Sequence, residues 1–225
     1  MKAIILAAGM GSRLGKPHPK PLTVLSTGES ILARQVRLLK EIISEDDIIV
    51  VTGFKKDLIM EKFPNLLFAY NNIYDTTNTS KSLLCALRKV SNEDAVWLNG
   101  DVVFNREAIT AVINSPYTSM AVNNSKVSDE EVKYKLNSKD EISEVSKNVT
   151  HALGEAVGVN KILGEDIPQF LISLENCNDQ DYFEKGIEMS IAKGMKFLPV
   201  NITENLCIEI DFEEDLTQVN SLLQK

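Results

Sequence analysis

The feature that most constrains the fold is a short apolar run that opens into a glycine-rich loop at the start of the chain. Residues 3–7 are all apolar, and Gly9 and Gly11 follow within a few positions. An apolar run of this length, without alternating polar residues, is typical of a strand buried on both faces, as in a parallel sheet. Such a sheet is covered by helices, so the run predicts an α/β protein.

The chain continues with alternating strands and helices as far as residue 98. The apolar spacing predicts a helix at 30–43, a strand at 48–51, a helix at 55–63, a strand at 66–70, a helix at 79–90 and a strand at 95–98. The last part of the chain is read as a helix at 179–192, strands at 196–200 and 207–210, and a helix at 212–223. We predict a Rossmann-like, mostly parallel sheet with helices on both faces.

The pattern changes after residue 124. Residues 132–136 and 142–145 flank a polar turn, which is typical of a β-hairpin, and residues 154–162 could add a further strand. We therefore predict one domain over residues 1–225, with a small β-hairpin subdomain inserted at about residues 125–162. A chain of this length suits a single domain with a sizeable core.

Charge and cysteine content limit the possible partners. The chain has 24 basic and 32 acidic residues and a formal net charge of −8, which argues against nucleic-acid binding and against binding to anionic membranes. A small anionic substrate in a local basic pocket is still compatible with that charge. Three cysteines, far apart, fit free thiols in a reducing cytoplasm. No apolar stretch approaches the ~18 residues of a spanning helix, so we expect no membrane insertion.

The glycine loop does not match two familiar phosphate-binding patterns. The dinucleotide fingerprint G-x-G-x-x-G requires glycine at position 14, which is Leu14. The P-loop requires four residues before Gly-Lys-Ser/Thr, whereas five residues separate Gly9 from Gly15 and Pro17 follows Lys16. A Rossmann dehydrogenase and a P-loop kinase are therefore disfavoured.

The string L-A-A-G-M-G-S-R-L at residues 6–14, followed by P-K-P-L at residues 19–22, resembles the signature of the sugar-nucleotidyltransferase family. That family carries L-A-A-G-x-G-[ST]-R-[LM] and a downstream P-K-P/A. The short link between the two motifs is more similar to that of the small cytidylyltransferases. The resemblance implies a site that binds the phosphates of an NTP. Its expected residues are Leu6, Ala7, Ala8, Gly9, Gly11 and Ser12, with Arg13 and Lys20 as catalytic cations.

Two aspartates match the metal-binding positions of the same family. Asp101 follows Gly100 directly after a predicted buried strand, at the edge where open α/β sheets bind ligands. Asp211 ends the segment I-E-I-D, which resembles the family's second metal-binding segment. The resemblance implies that both aspartates hold Mg²⁺, with Gly100 beside the nucleotide. From the residues alone, each aspartate could instead cap a turn or a helix.

The segment at residues 71–83 resembles cytidylyltransferases that act on choline phosphate, aminoethylphosphonate or related acceptors. It implies that Asn78 and Ser82 contact the base or ribose, although Asn78 is equally well read as a helix N-cap. The resemblance makes Lys147 the candidate catalytic contact to the acceptor phosphate, and Glu155 and Tyr182 the candidates for the rest of the acceptor. Few aromatic residues, 6% of the chain, favour an ammonium or hydroxyl group over a quaternary one.

The expected function is therefore a Mg²⁺-dependent transfer of CMP from CTP to a small phosphate or phosphonate, for a cell-envelope precursor, by a monomer or homodimer. Within the family, the rival is a uridylyl- or thymidylyltransferase acting on a sugar 1-phosphate. A molybdopterin-type guanylyl- or cytidylyltransferase shares the loop but fits residues 71–83 poorly. From another class, the rival is an inactive nucleotide-binding regulatory module.

Overall fold

The computed structural model describes residues 1–11, 14–125 and 131–224. The strands are β1 (Lys2–Ala7), β2 (Ile48–Thr52), β3 (Leu67–Tyr70), β4 (Ala95–Asn99), β5 (Val102–Phe104), β6 (Ser119–Asn123), β7 (Lys133–Leu136), β8 (Ile142–Ser146), β9 (Gly154–Ile162), β10 (Leu198–Asn201) and β11 (Cys207–Glu209). The helices are α1 (Ile31–Lys40), α2 (Lys56–Lys62), α3 (Thr79–Leu87), α4 (Arg106–Ile113), α5 (Ile167–Asn176), α6 (Phe183–Ile191) and α7 (Glu213–Leu222).

The main sheet has the strand order β10-β6-β9-β4-β1-β2-β3. Strands β3, β2, β1 and β4 pair in parallel, as do β6 and β10. Strand β9 pairs antiparallel with both of its neighbours, β4 and β6, and therefore runs against the direction of the strands beside it. The predicted mostly parallel sheet is confirmed.

Helices cover both faces of this sheet, as predicted. Along β1, Ile4 and Leu6 belong to a core that also contains residues of α3, α5 and α6. Ala3, Ile5 and Ala7 point the other way, into a core shared with α1, α2 and α4. Because successive strand residues face opposite sides, a strand buried on both faces needs an uninterrupted apolar run.

The predicted hairpin is present and is continuous with the main sheet. Strand β7 pairs with β8 and also with β9. The sequence predicts β9 only as an addition to the hairpin, but this strand lies between β4 and β6 in the main sheet. From the sequence pattern we predict no element at β5, α4, β6 or α5, all of which the structure contains.

Two features of the fold prepare the site. The C-terminal ends of the neighbouring strands β1 and β4 lie at the same edge of the sheet. A second, two-stranded sheet pairs β11 with β5 and so returns the C-terminal part of the chain to that edge. Within residues 1–11, 14–125 and 131–224, no helix has the length and apolar character needed to cross a bilayer.

Candidate active site at the ends of strands β1 and β4

A cleft of about 400 Å³ opens at the carboxyl ends of β1 and β4. This volume lies in the range of small-molecule sites. The loop after β1 and the turn after β4 line the cleft, together with the end of β11. The segment just before β7, the residue after β8 and the first turn of α6 also line it. The position is the edge at which open α/β sheets bind ligands.

Two glycines of the cleft allow backbone segments to approach each other closely. Gly11 has φ +60°, and a Cβ atom there would lie 2.7 Å from the Cβ of Lys20. Gly100 donates its backbone N–H to the carbonyl of Leu6 over 2.9 Å, and a Cβ at Gly100 would lie 2.6 Å from that carbonyl oxygen. Because of these contacts, a larger residue would fit at either position only if the backbone shifted.

Lys20 is the buried cation of the cleft. It begins the short 3₁₀ helix Lys20–Leu22, is flanked by Pro19 and Pro21, and is only 8% exposed. The Lys20 Nζ atom lies 2.6 Å from Asp101 Oδ2 and 2.6 Å from Asp211 Oδ1. Burial alone would lower the pKa of Lys20, but the two carboxylates outweigh burial and raise it. Lys20 is therefore a fixed positive charge at neutral pH.

Three carboxylates converge around this lysine. One oxygen from each of Asp101, Glu209 and Asp211 lies within 4.8 Å of the others. Burial raises the pKa of Glu209 well above its usual range, and the neighbouring charges of Asp101 and Asp211 raise it further. Asn99 donates to Glu209 Oε1 over 3.4 Å and so orients it.

The local structure explains why Asp101 and Asp211 point to the same place. The backbone N–H of Ile210 donates to the carbonyl of Asp101 over 3.0 Å, which joins the two segments. Helix α7 begins after Phe212, and Asp215 accepts the backbone N–H groups of Asp211 and Phe212. Asp215 thus satisfies the helix terminus, and the carboxylate of Asp211 is directed to Lys20 instead of capping the helix.

The acidic residues fit a divalent cation such as Mg²⁺. Carboxylate oxygens are the ligands that Mg²⁺ prefers, usually one or two of them with substrate phosphates and water. Asp101 Oδ1 is buried and has no hydrogen-bond partner among the described residues, so this oxygen is left to bind a cation. Lys20 supplies the positive charge that compensates the cluster.

The cleft also combines opposite charges around Lys147. Lys147 follows β8, and its Nζ atom lies 5.8 Å from the centre of the Tyr182 ring. Glu184, in the first turn of α6, lines the cleft and is 7% exposed. Burial raises the pKa of Glu184 to about 7, opposed by an interaction with its own backbone and by the charge of Lys147. Glu131 also lines the cleft.

Eleven of the expected site residues line the cleft: Leu6, Ala7, Gly9, Gly11, Lys20, Asn78, Gly100, Asp101, Lys147, Tyr182 and Asp211. Three others are not among the lining residues. Ala8 is buried and accepts the N–H of Phe54, Ser82 Oγ accepts from the amide of Asn71, and Glu155 accepts from the amide of Asn123. Ser12 and Arg13 lie outside the described residues.

Asn78 both caps a helix and lines the cleft. It is the N-cap of α3, where its side chain accepts the backbone N–H of Thr79 over 2.8 Å. It also lines the cleft near Thr77 and Gln180. The capping role expected from the sequence is therefore present, and it leaves the side-chain amide at the cleft edge, where it has donor hydrogens to offer.

Four acidic residues that line the cleft were not among the expected site residues: Asp75, Glu131, Glu184 and Glu209. Glu209 had a usable signal: it precedes Asp211 by two residues at the end of a short strand, where alternate residues share a face. Glu184 had a weaker signal. It falls within a helical stripe otherwise made of buried apolar or small residues, including Phe183 and Ile187. Burying a single acidic side chain in such a stripe is energetically unfavourable unless it interacts with a partner.

The N-terminal part of the chain matches a known family. Residues 3–148 match the family described as the MobA-like NTP transferase domain. CMP-5'-(3-aminopropyl)phosphonate synthase of Streptomyces rubellomurinus is 32% identical over 128 residues, 53% of this chain and 20% of that protein. CTP:phosphoglutamine cytidylyltransferase of Campylobacter jejuni is 31% identical over 126 residues, 51% of this chain and 49% of that protein. The bifunctional protein GlmU of Francisella philomiragia is 30% identical over 54% of this chain and 27% of that protein. The chain thus spans about half the length, or less, of these relatives.

Solved structures resemble the chain along its whole length. The inositol-1-phosphate CTP transferase of T. maritima has a TM-score of 0.83 and 18% identity, covering 100% of this chain and 95% of that one. The CTP:phosphocholine cytidylyltransferase of Streptococcus pneumoniae has a TM-score of 0.78 and 18% identity, covering 99% and 98%. At this identity the likeness concerns the fold, which it extends beyond residue 148.

Proposed function

We propose that this chain, which belongs to the family of MobA-like NTP transferase domains, transfers CMP from CTP to a small phosphate or phosphonate acceptor and releases pyrophosphate. Membership makes the chain a nucleotidyltransferase with cytidylyltransferases among its relatives. The proposed acceptor is of the choline phosphate or aminoethylphosphonate type, and the proposed metal is Mg²⁺.

One observation carries the proposal. A buried lysine and three carboxylates meet directly beside a glycine loop at the carboxyl ends of β1 and β4. An NTP brings several negative charges to one place, and a polar cleft that offers both a cation and metal-binding acids can neutralise them. Gly9 and Gly11 line the same cleft, so backbone N–H groups can approach the phosphates closely. Arg13 is proposed as a further phosphate contact.

The reaction follows from this arrangement. An ionised oxygen of the acceptor attacks the α-phosphorus of the NTP, a new P–O bond forms, and the bond between the α-phosphorus and its bridging oxygen breaks. The electron pair of that bond leaves with pyrophosphate. The nucleophile is already an anion at neutral pH, so no general base is needed. Lys20 holds the phosphates and Lys147 the acceptor, and catalysis comes from positioning and neutralisation of charge.

Asp101, Glu209 and Asp211 would hold the divalent ion. When bound, that ion supplies charge neutralisation for the phosphates and for the leaving group. Asp101 and Asp211 also pair with Lys20, so an incoming triphosphate would give Lys20 a further anionic partner. Gly11 and Gly100 allow the glycine loop to lie close enough to Lys20 for this additional contact to form.

The choice of CTP rests on the named relatives and on Asn78. Two relatives of about 30% identity carry CMP or CTP in their names. Asn78 lines the cleft at the start of α3, and an amide has both the donor and the acceptor that a cytosine edge requires. The acceptor is proposed to bind in the same cleft, near Lys147 and Tyr182.

We extend the proposal to the setting of the reaction. The protein would act in the cytoplasm as a monomer or homodimer, on a precursor of the cell envelope. The three cysteines, Cys85, Cys177 and Cys207, are free thiols, which suits a reducing compartment. Nucleic acid is not a proposed partner, given the net charge of −8.

A substrate matrix tests the proposal. The purified chain is incubated with Mg²⁺ and each of CTP, UTP, dTTP and GTP, crossed with choline phosphate, aminoethylphosphonate, inositol phosphate and hexose 1-phosphates. Pyrophosphate release is measured, with EDTA as the metal control. We expect release with CTP and a small non-sugar acceptor, and none with EDTA.

Other outcomes of the matrix identify the rivals. Release only with UTP or dTTP and a hexose 1-phosphate would replace the proposal by sugar nucleotidyl transfer. Binding of an NTP without pyrophosphate release for any acceptor would indicate a regulatory nucleotide-binding module and would contradict the proposal.

A further inference from the structure

Glu184 is a buried acid that the proposed transfer of CMP does not use. It lies in the first turn of α6, between Phe183 and a buried face that includes Ile187. The residue is 7% exposed, and its Oε2 atom is buried without a hydrogen-bond partner in the described parts of the chain. A carboxylate oxygen removed from water without a partner is costly, and proteins rarely keep one unless it binds something.

The fold places Glu184 at the cleft. The ring of Phe183 packs against Trp97 in the core, edge to face, with 5.7 Å between the ring centres. The backbone N–H of Phe183 donates to the Thr79 side chain at the start of α3. Both contacts fix the backbone at the start of α6, and Glu184 lines the cleft from this position.

The surroundings of Glu184 are complementary to a molecule with two opposite charges. Lys147 is close enough to act on the charge of Glu184 and approaches the ring of Tyr182. Glu131 also lines the cleft. An acceptor with an anionic group facing Lys147 and a cationic group facing Glu184 would present an opposite charge to each, whereas a simple anion would present none to Glu184.

We infer that the acceptor carries a primary ammonium group and that the carboxylate of Glu184 accepts a hydrogen bond from it. This inference rests on the proposed function and names the substrate class of the same cleft. The acceptor is thus a short aminoalkyl phosphate or phosphonate, which binds as a zwitterion.

The chemistry of the cleft favours a primary ammonium group over other cationic or polar groups. An –NH₃⁺ group offers three N–H donors and a full charge, so it can donate to the carboxylate and neutralise its charge at the same time. A hydroxyl group would leave the charge uncompensated. A trimethylammonium group has no N–H donor and is recognised by aromatic faces, and the aromatic residues that line this cleft are Tyr74, Tyr182 and the core-packed Phe183.

The test compares acceptors that differ only in the amine. Initial rates of pyrophosphate release are measured with CTP and Mg²⁺ for aminoethyl phosphate against propyl phosphate, and for aminoethylphosphonate against propylphosphonate, with choline phosphate as the quaternary case. The wild-type protein should prefer each amine over its uncharged analogue by at least about tenfold in kcat/KM. Choline phosphate should rank below aminoethyl phosphate.

Two variants separate recognition from a structural role. Glu184→Gln keeps the shape of the side chain and should reduce the preference for the amine to near unity, because kcat/KM falls for the amine acceptors far more than for the uncharged ones. Glu188→Gln, one turn later on the same helix, where Glu188 pairs with the exposed Lys185, should leave the preference as in the wild type. An equal loss for amine and non-amine acceptors in Glu184→Gln would show a structural role and overturn the inference.

The outcomes also separate this inference from the proposed function. Pyrophosphate release at equal efficiency with amine and non-amine acceptors overturns the inference and leaves CMP transfer standing. Release with none of the acceptors contradicts CMP transfer and the inference together. A higher kcat/KM for choline phosphate than for aminoethyl phosphate would overturn the inference and indicate that the acceptor carries a quaternary ammonium group.

Discussion

The Nζ atom of Lys20 lies 2.6 Å from Oδ2 of Asp101, although 81 residues separate them in the chain. Asp211 approaches the same nitrogen from a third segment. The lysine is thus the counterion of the acidic cluster. A divalent cation and Lys20 therefore compete for the same carboxylates, and this competition leads to the first prediction.

Lys20→Met should destabilise the protein at pH 8 by about 3–5 kcal/mol, because it leaves the carboxylates of Asp101 and Asp211 without their buried partner. Millimolar Mg²⁺ should restore more stability to the variant than to the wild type. Urea unfolding with and without Mg²⁺ measures both effects. Lys16→Met is the control, since Lys16 pairs with the exposed Glu213 in the same region. An identical response of both variants to Mg²⁺ would contradict the competition.

Asp101→Asn should lower turnover by about 10³-fold, because it removes a carboxylate that neutralises the reacting phosphates through the metal. Stability should change by only about 1 kcal/mol, because the lost ion pair with Lys20 is offset by less repulsion from Glu209 and Asp211. Pyrophosphate release and thermal unfolding are the two measurements. Full activity of the folded variant would exclude Asp101 as a metal ligand.

Gly11→Ala should weaken NTP binding at least about tenfold and destabilise the protein by about 1–3 kcal/mol, since its Cβ would press on Lys20 and its φ is +60°. Gly15→Ala is a matched control: Gly15 has φ +59°, but no atom of the described residues lies within 4 Å of the position that a Cβ would take. The Gly15→Ala variant should therefore show only the effect of backbone strain on stability. Calorimetric titration of each variant with CTP separates the contact with Lys20 from the strain, and equal NTP affinities would argue against the contact.

Asn78→Ala should raise KM for CTP about tenfold and also cost about 1 kcal/mol of stability through the lost N-cap of α3. Asn105→Ala provides the comparison, because Asn105 caps α4, where it accepts the N–H of Ala108, and it is not among the residues that line the cleft. It should lose stability to a similar extent while KM stays constant. If KM is unchanged in both variants, Asn78 acts only as a cap.

Glu184→Gln should make the free protein more stable at pH 8 by about 1–3 kcal/mol and have little effect at pH 5. Burial raises the pKa of Glu184 in the folded protein to about 7, from 4.5. A carboxyl group with a raised folded-state pKa gives its full stability below about pH 4.5 and loses it as the pH rises through about 7. Urea unfolding across pH 5–8 should show this decrease in the wild type and a flatter profile in the variant.

Most of the fold could be predicted from the sequence, because buried strands and amphipathic helices have strong local hydrophobic patterns. The uninterrupted run at residues 3–7 correctly indicated β1, and the polar turn between residues 136 and 142 indicated the β7–β8 hairpin. The central position of β9 in the main sheet could not be predicted from the sequence. Its pairing with β4 and β6 joins segments far apart in the chain, and strand order leaves no mark in the local spacing.

The sequence by itself determined the α/β class, the glycine loop beside a strand end, and the presence of Lys20, Asp101 and Asp211 as charged residues beside turns. Only the tertiary structure decided that one lysine lies between two aspartates and that Glu209 joins them. It also decided that Glu184 is buried at the cleft, with Oε2 unpartnered among the described residues. The physical reason is that propensity and periodicity act over a few residues, whereas charge neutralisation and burial depend on distances between segments that only the folded chain brings together.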